Sequence, residues 1–130
     1  MLISSCVNTP ASKQEECGFK EMMEGISCIE PNLEEIAKHS LGSRGNPIRA
    51  DGPKGQREYL SKLICLNGDP IWDFKRGGSV GMGPYGFMLD VYIVLCNTEK
   101  GVVEHSVYMD LYHKNYKESG VAYGFKELAK

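Results

Sequence analysis

Residues 86–113 read GFMLDVYIVLCNTEKGVVEHSVYMDLYH, two β-rich runs joined by a short turn that carries Asn97 and Gly101. Side chains alternate across a strand. Phe87, Leu89, Val91, Ile93 and Leu95 therefore share one face of the first run, and Met88, Asp90, Tyr92 and Val94 the other. On the return run Val103, Val107, Met109 and Leu111 share a face with His105, opposite Glu104, Ser106, Tyr108, Asp110 and Tyr112. A five-residue loop, Asn97 to Gly101, opposes Cys96 to Val102 and brings the two aliphatic sets together. A slip of one residue would bury Asp90 and Asp110, at several kcal/mol for each unpaired charge. The expectation is a hairpin over about 86–112 with its aliphatic side buried. Its open face would carry Asp90, Tyr92, Tyr108, Asp110 and Tyr112. Tyrosines beside carboxylates suit a ligand or partner surface, because each ring offers apolar area with a polar tip. A half-solvated sheet face carries the same residues for β-propensity and solubility alone.

Upstream, Ser12 and Glu15 form a capping box, and Phe19, Met22, Met23 and Ile26 recur at helical spacing, which predicts a helix over 11–29. A second helix follows, with Pro31 in its first turn, Leu33, Ile36 and Ala37 as its buried stripe, and Gly42 ending it. His39 falls in its last turn, where positive charge complements the helix dipole. From Gly42 to Gly55 the chain turns glycine- and proline-rich. Asp51 caps a segment, Pro53 to Leu63, that reads as a short helix passing into a strand. Asn67-Gly68 predicts a turn that returns Ile71–Phe74 against Leu63–Cys65. Gly77, Gly78, Gly81, Gly83 and Gly86 mark a loop of unusual backbone path. The segment after His113 reads as a surface tail over 114–130, with one docked turn at Phe125 to Leu128. The fold class expected is α+β: an antiparallel sheet, made of the long hairpin and one to three shorter strands, packed against N-terminal helices. It forms one domain, with residues 1–10 as a flexible N-terminus, 11–41 helical and 42–113 the sheet-containing core.

Composition narrows the function classes. At 130 residues, 42% hydrophobic and 25% charged, the chain is a globular single-domain length. Fifteen basic residues against seventeen acidic give a net charge of −2 with the basic residues scattered, which argues against a nucleic-acid partner. No apolar run approaches the ~20 residues of a transmembrane helix. Ile3-Ser4-Ser5-Cys6 has the form of a lipoprotein cleavage box, but only five residues precede Cys6 and no apolar leader is among them. Cys6, Cys17, Cys28, Cys65 and Cys96 include no C-x-x-C pair, so no zinc ribbon, other metal site or thioredoxin-type centre is expected. They fit five reduced thiols packed as small hydrophobes. They also fit a single Cys65–Cys96 disulfide, if the two runs that these residues close are neighbouring strands; such a bond implies an oxidising compartment.

Candidate chemistry is sparse. Gly81-Met82-Gly83-Pro84-Tyr85-Gly86 matches G-x-G-x-x-G in letters, yet a β-like run follows where a dinucleotide site needs a helix, and Pro84 removes an amide. No cofactor is implied. An anion-cradling loop supported by Arg76 and Ser79 is compatible with the free amides there. His105, His113, Asp90 and Asp110 are the candidate acid–base groups, and Cys65 or Cys96 with a histidine the candidate nucleophile. His105 points with the core set, and Asp110 and His113, three apart on an extended chain, fall on opposite faces.

The segments GSRGNPIRADGPKGQREYLSKLIC, RGGSVGMGPYGFMLDVYIVLC and YMDLYHKNY resemble a family of small uncharacterised bacterial proteins, often exported. The shared pattern is close to G-S-x-x-N-P-[IV]-R, G-x-R-x-Y-L-x-x-L-x-C, G-S-x-G-x-G-P-Y-G and M-D-x-Y-H, over about residues 41 to 116. The family has no established activity, so the resemblance implies no catalytic residue. It does imply that Asn46, Arg49, Arg57, Tyr59, Tyr85, Asp110 and His113 occupy recurring positions, and its inclusion of Cys65 and Cys96 supports an exported, disulfide-bonded ancestry. The reading that follows is a small binding or interaction module. Its surface would be formed by Arg49, Arg57, Tyr85, Asp90, Tyr92, Tyr108, Asp110, Tyr112 and His113 with the Gly-rich loop. Its partner would be a small ligand, another protein or a second copy of the chain. The alternative is a hydrolase or transferase using Asp110, His113, Arg49 and Arg57 on an anionic substrate.

Overall fold

The computed structural model describes residues 30–127, so the helix expected over 11–29 lies outside the described residues. In chain order the elements are α1 (Leu33–Ala37), β1 (Ile48–Asp51), α2 (Gly52–Leu60), β2 (Leu63–Cys65), β3 (Asp73–Met82), β4 (Met88–Thr98), β5 (Gly101–Asp110), β6 (Tyr112–Lys117) and β7 (Phe125–Glu127). A five-stranded sheet has the order β3-β4-β5-β1-β6, and β2 and β7 form a separate two-stranded sheet. The central hairpin is antiparallel, but β1 runs parallel to β5, which makes the large sheet mixed rather than wholly antiparallel. The molecule is thus α+β with its weight in sheet. The helix on the main core is α2, which contributes Tyr59 and Leu60.

The register of the central hairpin differs from the expected one. Thr98 pairs with Gly101, Cys96 with Val103, Tyr92 with Val107 and Asp90 with Met109. Gly101 has φ 112°, whereas neither Glu99 nor Lys100 has positive φ, so the glycine supplies the left-handed residue that closes the turn. The Thr98 hydroxyl accepts from the Lys100 amide at 3.2 Å and donates to the Gly101 carbonyl at 2.7 Å. This tighter turn reverses the parity. Tyr92, Val94 and Cys96, rather than their odd-numbered neighbours, face the main core with Val107 and Met109.

Asp90 is consequently buried, at 4% exposure, and Asp110, on the other face of the sheet, is buried as well, at 0%. Two physical facts allow what the sequence argument had excluded. Both faces of β4 are apolar, and Leu89 and Val91 are buried as well, so hydrophobicity alone does not choose the parity. The carboxylates are also not unpaired. Asp90 accepts from Arg76 at 2.6 Å and from Gln56 at 3.1 Å. Asp110 accepts from the Tyr112 amide at 3.2 Å and stands 3.0 Å from His113.

Under α2 the core joins Tyr59, Leu60, Leu63 and Cys65 to Ile48, Tyr92, Val94, Val107, Met109, Ala122 and Phe125. Ala122 and Phe125 belong to the segment expected to be a surface tail. That expectation fails because Tyr112 and Lys117 pair with β1 and residues 125–127 pair with β2. The Tyr59 hydroxyl fastens this return, donating to the Gly120 carbonyl at 2.8 Å and accepting from the Ala122 amide at 2.9 Å. The turn at Gly68 forms, with Ile64 bridged to Pro70, but the chain then leaves β2. The Trp72 amide donates to the Leu95 carbonyl at 2.9 Å, and β3 continues along β4. The first half of the expected Gly-rich loop is therefore strand. Two register shifts interrupt it, near Gly78 (φ 109°) and Gly81 (φ 101°). Gly77 admits no side chain, since a Cβ there would lie 2.9 Å from a Val91 methyl.

Cys65 and Cys96 form a disulfide with Cα atoms 5.9 Å apart. It joins β2 to β4, and hence the small sheet to the large one, rather than two neighbouring strands. With a sequence separation of 31, chain entropy assigns it about 3–4 kcal/mol. Reductant is expected to lower the thermal midpoint by on the order of 10 °C, and a Cys65→Ala/Cys96→Ala variant should no longer respond. An unchanged melting curve would remove the cross-link.

A second expectation concerns alkaline pH. Burial pushes the hydroxyls of Tyr59, Tyr85, Tyr92 and Tyr112 above the usual tyrosine range. The unfolded chain ionises first as pH passes about 10, so stability is full below that value and falls through the raised values of the folded state. Urea midpoints between about pH 8 and 12 should show this fall, and Tyr59→Phe should make it shallower while lowering stability at neutral pH. Parallel slopes for the two proteins would exclude Tyr59 as a contributor.

Candidate functional site

A break in strand pairing builds the site. β6 opposes β1 at Asp51–Tyr112 and again at Ala50–Lys117, so residues 113–116 loop out between the two pairs. Asn115, at φ 64°, is the one non-glycine residue with positive φ among the described residues, and its amide donates to Asp51 Oδ2 at 2.8 Å. Bulges re-aim side chains. This one brings Tyr116 to Arg49 of β1 and sets His113 against the Tyr116 and Tyr85 rings.

The Arg49 guanidinium carbon lies 4.0 Å from the centre of the Tyr116 ring and 5.0 Å from that of Tyr85. Its Nη2 donates to the Tyr116 hydroxyl at 2.6 Å. No carboxylate among the described residues stands within ion-pair distance of it. Asp110, its register partner on β5, turns instead to His113, with Oδ2 and Nε2 3.0 Å apart. Both atoms are closed off from solvent and neither has a partner at good hydrogen-bonding angle, so the contact is a close polar approach rather than an aligned bond. The His113 ring stands edge-on to Tyr85 (5.1 Å, 80°) and to Phe87 (5.4 Å, 83°), and at 61° to Tyr116. Burial raises the Tyr85 hydroxyl's pKa, and Arg49 offsets part of that rise. Arg49 and Tyr116 also line a cleft of about 560 Å³ between α2 and β6, together with Lys54, Glu58 and Lys117.

The residues expected to form one surface divide between the two sides of the sheet. Arg49, Tyr85, Asp110 and His113 converge. Asp110 and His113 meet, against expectation, because Leu111 lies between β5 and β6 and interrupts the extended run. Asp90 and Tyr92 lie on the opposite side, in a buried chain in which Gln56 donates to Asp90 and accepts from Tyr92 at 2.9 Å. The expected open Tyr/Asp face is thereby overturned: the register separates Asp90 and Tyr92 from Tyr108 and Asp110. Arg57 is exposed on α2, and its charge acts on Tyr92. Tyr108 is half-buried, with its amide on the Gly42 carbonyl, and Tyr112 stacks on Phe87 at 5.5 Å. Arg76 contacts Ser79 at 3.4 Å but is engaged by Asp90, which removes it as an anion cradle. Cys65 and Cys96 are bonded to each other, so neither is a nucleophilic thiolate. His105 lies half-buried against Phe125.

Tyr116 and Gln56 were missed. The available signal for Tyr116 was Asn115 before it, a residue type that tolerates left-handed backbone where a strand is interrupted. Among the described residues no group of three or more His, Cys, Asp or Glu side chains could hold a metal ion, and no helix is long and apolar enough to cross a membrane. No family model matches the chain, and no curated protein or solved structure matches it.

Removing one member of the Asp110–His113 pair leaves a buried polar group without its neighbour, a change that costs about 3–5 kcal/mol when a true ion pair is broken. In a urea-unfolding cycle of His113→Ala, Asp110→Asn and the double variant, the double is expected to be less destabilised than the sum of the singles. Additivity within about 0.5 kcal/mol would show that the two groups are uncoupled.

Proposed function

We propose that the protein is a binding module for a small anionic ligand, with Arg49 as the anchor at the wall of the α2–β6 cleft. One observation carries this reading: the Arg49 guanidinium is held over two tyrosine rings with no carboxylate among the described residues to neutralise it. With the guanidinium carbon over the rings and Nη2 engaged by the Tyr116 hydroxyl, the remaining N–H edge is the direction of recognition. That edge matches a carboxylate or phosphate through two parallel hydrogen bonds. The rings fix its orientation before a ligand arrives, so less side-chain entropy is lost on binding. A cleft of about 560 Å³ is the size of an ordinary small-molecule site.

The resemblance to small, often exported bacterial proteins supports the same location, because Arg49, Tyr85, Asp110 and His113 are all positions of that pattern. On this reading the chain works in an oxidising compartment where the Cys65–Cys96 bond persists.

The test is a thermal-shift and calorimetric screen against small carboxylates, phosphate and sulfate. A ligand at about 100 times its dissociation constant should stabilise the protein by about 2.7 kcal/mol. Arg49→Lys keeps the charge but loses the fork, and is expected to weaken binding about tenfold or more. Silence across the anions, or undiminished binding by Arg49→Lys and Arg49→Ala, would end the proposal.

A further inference from the structure

We infer that the ligand of the α2–β6 cleft carries two anionic groups on one small molecule, the first held by Arg49 and the second by Lys54 and Lys117. The inference rests on the reading of Arg49 as an anion anchor and adds the class of molecule that the anchor holds.

Three basic residues from three elements are brought together around one small residue. Ala50 follows Arg49 in β1 and is buried. Its register partner on β6 is Lys117, which sets the two Cα atoms roughly 5 Å apart. From α2, Gly55 packs on the same residue: a Cβ at Gly55 would lie 3.5 Å from that of Ala50. Lys54 immediately precedes Gly55 in the first turn of α2. Arg49, Lys54 and Lys117 all line the cleft, and both lysines are exposed. An alanine and a glycine thus let the helix and the two strands close, and the closure gathers their positive charge at one end of the cleft.

The carboxylates of the cleft do not answer that charge. Among the described residues none stands within ion-pair distance of Arg49, Lys54 or Lys117. Asp51, beside Ala50, accepts from the Asn115 amide at 2.8 Å, and Glu118, beside Lys117, accepts from the Gly120 amide at 3.3 Å. Glu58 lies one turn along α2 from Lys54 without reaching it. A ligand with a single anionic group is satisfied by the Arg49 fork and leaves both ammonium groups unused. A second anionic group on the same molecule adds a charge-assisted contact. The two kinds of cation divide the work. Arg49, oriented by its rings, fixes the position of the first group, and each lysine, a point charge on a flexible stem, adjusts to the distance of the second. A dicarboxylate and a phosphorylated carboxylic acid both present this chemistry, and a cleft of about 560 Å³ has room for the carbon chain between the groups.

Calorimetry with the full chain tests this by comparing acetate with succinate, glutarate and phosphoglycolate, in which a phosphate replaces one carboxylate. At least one of the two-group probes is expected to bind about tenfold or more tighter than acetate, the gain of one further charge-assisted contact. That advantage should shrink as salt is raised from about 0.01 to 0.15 M, because the lysines are exposed. Whether phosphoglycolate or a dicarboxylate binds tighter tells which second group the lysines take, and either result supports the inference. Lys54→Gln and Lys117→Gln, both at exposed positions outside the core, should each draw the ratio of two-group to acetate affinity toward one. Two-group probes that bind no tighter than acetate, or a ratio unmoved in the Lys54→Gln/Lys117→Gln double variant, overturn the inference while the anchor reading stands. Absence of any Arg49-dependent anion binding overturns both.

Discussion

The left-handed backbone of Gly101 governs the rest of the molecule. It closes the turn between β4 and β5 so that Thr98 and Gly101 pair, and every side chain of the hairpin takes its face from that pairing. Tyr92, Val94 and Cys96 then point at α2 and β2, which lets Cys96 reach Cys65. Asp110 points the other way, beside Arg49 on the parallel neighbour β1. The opposite parity would take Cys96 away from its partner and put Asp90 where neither Gln56 nor Arg76 reaches it.

Both sides of the sheet therefore carry buried polar groups, and the two groups differ in kind. The Arg76–Asp90–Gln56–Tyr92 chain is bonded at each step and ties α2 to β3 and β4, as a satisfied network that specifies how a helix sits on a sheet. The cluster on the other side is incomplete. Its arginine lacks a carboxylate among the described residues, and its Asp110–His113 contact is near without being aligned. Buried polar groups in folded proteins are bonded with few exceptions, which sets this unfinished cluster on a strand bulge apart from the satisfied one.

Much of the architecture was readable from residue order. Periodicity placed both strands of the hairpin, and the short helix passing into a strand near Leu63 is α2 followed by β2. The parity was not readable, because β4 is apolar on both faces and the deciding residue is a single glycine in the turn. Taken alone, Asp90 and Asp110 read as unpaired charges. Gln56 and Arg76 are distant in sequence from Asp90, and nothing local announces them. β6 and β7 were hidden for a related reason: the outer ends of both strands are polar and exposed, and among the described residues of this segment only Ala122 and Phe125 are deeply buried. At the site, Arg49, Tyr85, Asp110 and His113 were named, yet their convergence depends on a register jump that no periodicity encodes.

The outer strand β3 has a bearing on how the molecule behaves in a crowd. Among the described residues β3 is a ten-residue strand at a sheet margin, with Trp72 just before it 61% and Phe74 within it 39% exposed, and such an edge leaves backbone amides and carbonyls open to another chain. The kinks at Gly78 and Gly81 break that row into pieces too short to template a neighbour, and Lys75 and Arg76 place charge on the longest of them. The glycines that read as a flexible loop thus interrupt the outer row of backbone groups on β3.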